Sequence, residues 1–190
     1  VHDAKEHLDY IRRTMAAAGQ FTDVPGRALV FIGAIGLAAA AANLRFWPGA
    51  GHPLEPWLWV LALALAAVIG CVGVVRKARR RGSPLQKLFI RKLLWGFGPA
   101  LAAGALLSAV VWRRGELDLL PVLWLASYGA AVISGGQVSV APVRWLGLSE
   151  IGVAVLAALT PPGYGLAWMA LGFGLLHLLF GQFIARRYDG

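Results

Sequence analysis

Charge is scarce in this chain. Only 14% of its 190 residues are Asp, Glu, Lys or Arg, where a soluble domain carries about 25%. Acids are the scarcer sign, nine against 18 basic residues, for a formal net charge of +9. A single cysteine, Cys71, excludes an internal disulfide and has no neighbouring ligand set, so it reads as buried filler. Zinc needs three or four ligands, and of the four histidines His2, His7 and His52 lie in surface segments. HExxH, GxSxG, a Walker A loop and a paired-carboxylate motif are all missing, which leaves no recognisable enzyme or cofactor signature. TPPGYG at 160–165 contains the GYG of a potassium filter, but no pore helix precedes it and two prolines occupy the turn. It reads as coincidence.

What the chain has instead is apolar length. It is 58% hydrophobic, with mean hydropathy +0.66, and the excess is gathered into runs long enough to cross a hydrocarbon core. They fall at about 28–44, 57–75, 93–112, 119–140, 145–160 and 165–185; the fifth is shorter and contains Glu150. The predicted fold class is therefore all-α: an integral membrane bundle of six transmembrane helices occupying 24–190. Little chain is left for a soluble domain.

Basic residues set the expected orientation. With the N-terminus cytoplasmic, 15 of the 18 Lys and Arg fall on inner segments, and Arg45, Arg113 and Arg114 lie outside. The positive-inside rule then places both termini in the cytoplasm. Trp47, Trp57, Trp59, Trp112, Trp124 and Trp168 sit near the outer ends, where an amphipathic ring is favoured. The positive charge is thus a topology signal and does not point to nucleic acid.

Residues 1–23 form a cytoplasmic segment in which Leu8, Ile11, Met15 and Ala18 recur at helical spacing, the pattern of a short amphipathic helix on the inner surface. They lack the apolar core of a cleavable signal, so the first span is expected to direct insertion. The longest polar inner loop, 76–92, carries Arg76, Lys77, Arg79, Arg80, Arg81, Lys87, Arg91 and Lys92. Ser83-Pro84-Leu85-Gln86 within it reads as a helix start. The loop retains topology and attracts anionic headgroups; its other use is docking an acidic cytoplasmic partner. The even spans begin LWVLALALAAVIG at 58, LWLASYGAAVISG at 123 and AWMALGFGLLHLL at 167. That recurrence suggests a triplicated two-helix hairpin.

Against this background His177 stands out, in LGFGLLHLLFGQF. Steps of three and four place Ala167, Ala170, Gly174, His177, Gly181 and Ala185 on one face of the sixth helix. Small residues line helix–helix contacts in lipid, so His177 is expected to face another helix. Ser127, Ser134 and Gln137 share an arc of the fourth helix and are the expected partners. The glycines and Pro142 of GGQVSVAPVR imply an irregular inner end, tolerable only against protein or water. Glu150, read as one turn into the fifth helix, completes an inner-side polar cluster that Arg144, Arg27 or Arg91 could neutralise. These groups either hold helices four to six in register or form a small-ligand or proton site at His177, Ser134, Gln137, Ser127, Glu150 and Gly174. Haem ligation by two histidines would need His177 from two protomers.

Three stretches, IRRTMAAAGQFTDVPG (11–26), YGAAVISGGQVSVAPVRWLG (128–147) and LGFGLLHLLFGQFIARRYDG (171–190), resemble a group of small bacterial integral membrane proteins of unassigned function. The resemblance implies a bacterial inner-membrane protein, often encoded beside a winged-helix regulator, and carries no reaction or site residues with it. The expected function is a non-enzymatic sensor or regulatory module that binds a small apolar ligand or a cytoplasmic regulatory protein. A small oligomeric transporter or channel is the alternative, and a membrane haem protein or lipid or quinone enzyme ranks behind both. The transporter reading calls for a homo-oligomer, because six short helices enclose little volume.

Overall fold

The computed structural model describes residues 25–46, 55–80 and 87–188. The N-terminal amphipathic segment, His2, His7, Trp47, His52, Arg81 and the Ser83–Gln86 helix start lie outside the described residues. Every element is helical: α1 (Gly26–Phe46), α2 (Pro56–Arg80), α3 (Lys87–Arg114), α4 (Leu120–Gly135) and α5 (Ala141–Leu159). A sixth long helical stretch is built in three parts, α6 (Gly165–Met169), a π-helical segment (Ala170–Leu176) and α7 (His177–Tyr188). Single 3-10 turns, Leu117–Leu119, Gly136–Val138 and Pro162–Tyr164, join the later helices. Six stretches are long and apolar enough to cross a membrane.

Proline and glycine mark the boundaries. Pro56, Pro121 and Pro142 each stand in the first turn of a helix, where the missing N–H has no intrahelical acceptor to lose. At the end of α3 the Glu116 N–H reaches Val111 O and the Gly115 N–H reaches Trp112 O, the paired bonds of a Schellman cap. Gly115 takes the positive φ (74°) that this cap needs. After α4 the chain passes through the 3-10 turn into extended backbone at Ser139 and Val140 before α5 begins. The fifth helix thus starts at Ala141, four residues before the apolar run suggested, because Pro142 pre-sets the helical φ.

The helices pack as neighbours in the order α2, α1, the sixth stretch, α5, α4, α3, with α4 also touching the sixth stretch. At the end bearing Trp57 and Trp112 those two rings meet edge to face at 5.3 Å, tying α2 to α3. There too the Trp124 indole donates to Ser108 Oγ (2.8 Å) and the Trp168 indole to Thr160 Oγ1 (2.7 Å). Each tryptophan thereby fastens one helix to its neighbour and satisfies its own N–H. The Glu55 N–H donates to the buried Asn43 Oδ1 (2.9 Å), linking α1 to the start of α2.

Two apolar clusters fill the interior. One, near the tryptophan end, contains Trp59, Leu120, Leu125, Val153, Leu166 and Met169. The other, near the opposite, basic end, contains Val132, Val140, Val143, Leu146 and Ile184. Helices α2 and α3 bury little and turn Leu61, Leu63, Leu65, Val68, Leu101, Leu106 and Leu107 outward. Cys71 shares that outward-facing surface of α2 and is exposed, which corrects its reading as core filler.

A buried tyrosine, histidine and glutamate between the two cores

The π segment determines which side of the sixth stretch faces inward. Its buried positions are Leu166, Met169, Gly174, His177, Gly181 and Ile184, with Gly172 beside them. The step from Met169 to Gly174 is five residues, one more than an α-helix allows, because the π turn takes in an extra residue. An α-helical spacing therefore fails upstream of the segment: Ala167 is exposed and Ala170 half-buried, and Leu166 and Met169 occupy the inner face instead.

His177 lies just after the π segment and is fully buried. Its backbone N–H bonds to Gly174 O, so the Gly172 carbonyl is left for its side chain. Nδ1 stands 3.1 Å from Gly172 O and 3.4 Å from Glu150 Oε1. A carbonyl only accepts, so Nδ1 carries a proton. On the other side of the ring, Nε2 is 2.8 Å from the hydroxyl of Tyr128 on α4. Three helical stretches thus meet at one imidazole.

Glu150 arrives by close backbone approach. Gly129 of α4 and Gly147 of α5 face each other so tightly that a Cβ on either would stand 2.8 Å from the other's carbonyl oxygen. One turn beyond this crossing Glu150 lies against α4, at the midpoint of α5 and not one turn from its end as the sequence suggested. The difference follows from the early start of the helix. A Cβ at Gly172 would fall 2.5 Å from Glu150 Oε2, so the missing side chain there makes room for the carboxyl. Glu150 is fully buried, and neither oxygen accepts a hydrogen bond among the described residues. The 3.4 Å approach of Nδ1 is an ion-pair distance, too long for a strong bond.

An aromatic row continues outward from the imidazole. Tyr128 and His177 have centroids 5.4 Å apart, Phe173 meets Tyr128 edge to face at 5.3 Å, and Trp59 of α2 stands 6.3 Å from Phe173. The Trp59 indole N–H is buried and has no acceptor among the described residues. Tyr128 falls between Leu125 of one core and Val132 of the other, and Glu150 between Val153 and Leu146. The polar groups therefore sit at the seam between the two cores, in low-dielectric surroundings on both sides.

Of the residues singled out from sequence, His177 and Glu150 come together. Ser134 and Gln137 are exposed and take no part, and Ser127 packs on Gly104 of α3. Gly174 is buried against Leu37 of α1, a packing contact. Arg144 and Arg91 are exposed at the basic end, away from Glu150's mid-helix position. Tyr128 was the partner that sequence reasoning missed. The signal was its spacing, three after Leu125 and four before Val132, which places its hydroxyl on the buried face of α4.

At the basic end Arg76 and Arg79 are exposed, and Lys77 Nζ donates to Tyr188 O (3.0 Å), joining the end of α2 to the last turn of α7. The side chains of Arg80, Lys87 and Lys92 lie outside the described set. Among the described residues no three His, Cys, Asp or Glu side chains gather as a metal site. Chemically, the Tyr128–His177–Glu150 constellation can hold and redistribute protons in an apolar interior, and it offers a carboxyl short of donors. Comparisons with protein-family models, with curated proteins and with solved structures each found no match.

Proposed function

We propose that the chain is a six-span integral protein of the bacterial inner membrane, with both termini cytoplasmic, acting as a non-enzymatic sensor or regulatory module. The Tyr128–His177–Glu150 constellation is its ligand site, and the basic end meets anionic headgroups or an acidic cytoplasmic regulator. One observation carries the reading: a fully buried carboxyl that accepts no hydrogen bond among the described residues, 3.4 Å from a fully buried imidazole. Packing alone explains such a group poorly, since an unsatisfied buried acceptor costs about 1–3 kcal/mol and more if charged. Ionisable groups placed midway along candidate spans mark functional sites more often than structural ones. Adjacent packing of α1 with α2 and of α3 with α4 accords with three two-helix hairpins. The outward apolar faces of α2 and α3 suit lipid or a second copy of the chain.

A small proton-coupled oligomeric transporter is the second reading. It is favoured by the same pair, because coupled transport commonly places ionisable residues at mid-membrane.

Native mass spectrometry in mild detergent tests the first reading, with wild type compared to His177→Ala and the milder Glu150→Gln. A small molecule retained by wild type and lost from both variants supports a ligand site. Empty protein of equal assembly in all three overturns it. Proton-driven solute uptake into proteoliposomes that Glu150→Gln abolishes would instead establish the second reading.

A further inference from the structure

Phe173 stands between two polar groups from different helices. On one side is the Trp59 indole of α2, whose ring is 6.3 Å away, and on the other Tyr128 of α4, 5.3 Å away. An indole N–H can only donate. Trp59 is 5% exposed, and its N–H meets no acceptor among the described residues. A buried donor in this state is left short of the hydrogen bond it would make in water, and native structures rarely leave one without a reason. The other four described tryptophans near this end behave differently: Trp124 and Trp168 donate to hydroxyls, and Trp57 and Trp112 are exposed.

Tyr128 is partly buried, and its hydroxyl is held by His177 Nε2 at 2.8 Å. Its hydroxyl can act in either direction, according to His177. Two proton arrangements keep the His177–Glu150 pair neutral overall. With imidazole neutral and carboxyl protonated, Nε2 accepts from Tyr128, and the hydroxyl offers lone pairs alone. With imidazole protonated and carboxylate charged, Nε2 donates, and the Tyr128 O–H is released to donate elsewhere. Glu150 stabilises that second arrangement by its 3.4 Å approach to Nδ1.

A molecule suited to this place must bring acceptor oxygens for one or two donors. It must be planar enough to lie along a row of aromatic rings. It must also arrive through apolar surroundings, since the flanking helices α2 and α3 present leucine and valine outward. A ring-carbonyl compound meets all three conditions. We propose that Trp59 and Tyr128 bind the ring-carbonyl oxygens of a membrane-dissolved, quinone-class molecule beside Phe173, with His177 and Glu150 setting whether Tyr128 donates. The proposal concerns binding alone and involves no electron transfer. It rests on reading the Tyr128–His177–Glu150 constellation as a ligand site.

The probe is decylubiquinone, added to the full chain in lipid nanodiscs and measured by equilibrium dialysis. Wild type binds it saturably. Trp59→Phe and Tyr128→Phe each weaken binding by about fivefold or more, the loss of one hydrogen bond. Trp57→Phe, on an exposed ring, leaves binding unchanged. Infrared spectra of the carbonyl-labelled quinone on wild type show a downshifted stretch, a readout that does not depend on any variant folding. Absent saturation, an unshifted stretch, or equal affinity in the Trp59 and Tyr128 variants overturns the proposal. If a co-purified molecule is lost from the His177 variant while decylubiquinone fails to bind, the ligand site stands and its quinone class falls. If no co-purified molecule is lost and decylubiquinone also fails to bind, both fall together.

Discussion

Replacing His177 by alanine removes three things at once, and their sizes can be set from the geometry. The 2.8 Å contact with the Tyr128 hydroxyl is a part-buried hydrogen bond worth about 1 kcal/mol. The nearby Nδ1–H is the one donor facing Glu150 among the described residues, and its loss leaves a buried carboxyl facing none, at roughly 3 kcal/mol. The imidazole is fully buried, so its removal opens a void costing about 1–2 kcal/mol more. The sum is about 5 kcal/mol, a large share of the stability of a chain this size. The larger part depends on Glu150 being present. Glu150→Gln removes the ionisable group and keeps the volume, so in the His177→Ala background it should restore about 1–3 kcal/mol, the usual coupling of directly interacting residues. Reversible unfolding in mixed micelles with rising SDS, on wild type, both single variants and the double, measures this cycle. A His177→Ala loss below about 1 kcal/mol, or additivity within about 0.5 kcal/mol, would refute an energetic link between imidazole and carboxyl.

Two further outcomes follow from packing. A Cβ at Gly36 would stand 2.6 Å from the Phe173 carbonyl carbon and 3.0 Å from the Gly174 amide, backbone atoms that cannot swing aside. Gly36→Ala should therefore cost about 2 kcal/mol in the same unfolding assay, whereas Gly152→Ala, with nothing within 4 Å on exposed α5 surface, should gain about 0.5–1 kcal/mol from helix propensity. Equal effects would mean that α1 does not press on the π segment. Cys71, the single thiol, faces outward from α2, so a nitroxide attached there in liposomes should relax faster with dissolved oxygen than with a water-soluble nickel chelate. The reverse preference would place that surface in water and sink the membrane reading.

Among the described residues the six long helical stretches were legible because each is an apolar run, interrupted by an acid only at Glu150, bounded by proline, glycine or basic residues. The candidate site was legible in part. His177 was found because a titratable ring in an apolar helix has to face protein, and Glu150 because it is the one acid in the six runs. The partner choice misled for a definite reason. Ser134 and Gln137 are conspicuous as polar letters, yet Ser134 lies on the exposed side of α4 and Gln137 is exposed in the 3-10 turn after it, while Tyr128 reads as one more aromatic residue in an apolar segment. Cys71 was misplaced by a similar habit, since in a helix with little protein around it apolar character says nothing about which side is covered.

Sequence alone determined that the described residues build only helices, with six stretches long enough to span a bilayer. Run length and the placement of proline and glycine depend on neighbours along the chain, and periodicity records them directly. Tertiary structure alone decided which polar groups meet. The Gly129–Gly147 crossing that seats Glu150 depends on two helices approaching within backbone contact. The π turn that shifts the inner face from Ala167 and Ala170 to Leu166 and Met169 adds a residue that no fixed helical period anticipates. Both are settled by packing between distant segments, where a one-residue change in register turns a side chain through about 100° and gives it a different neighbour.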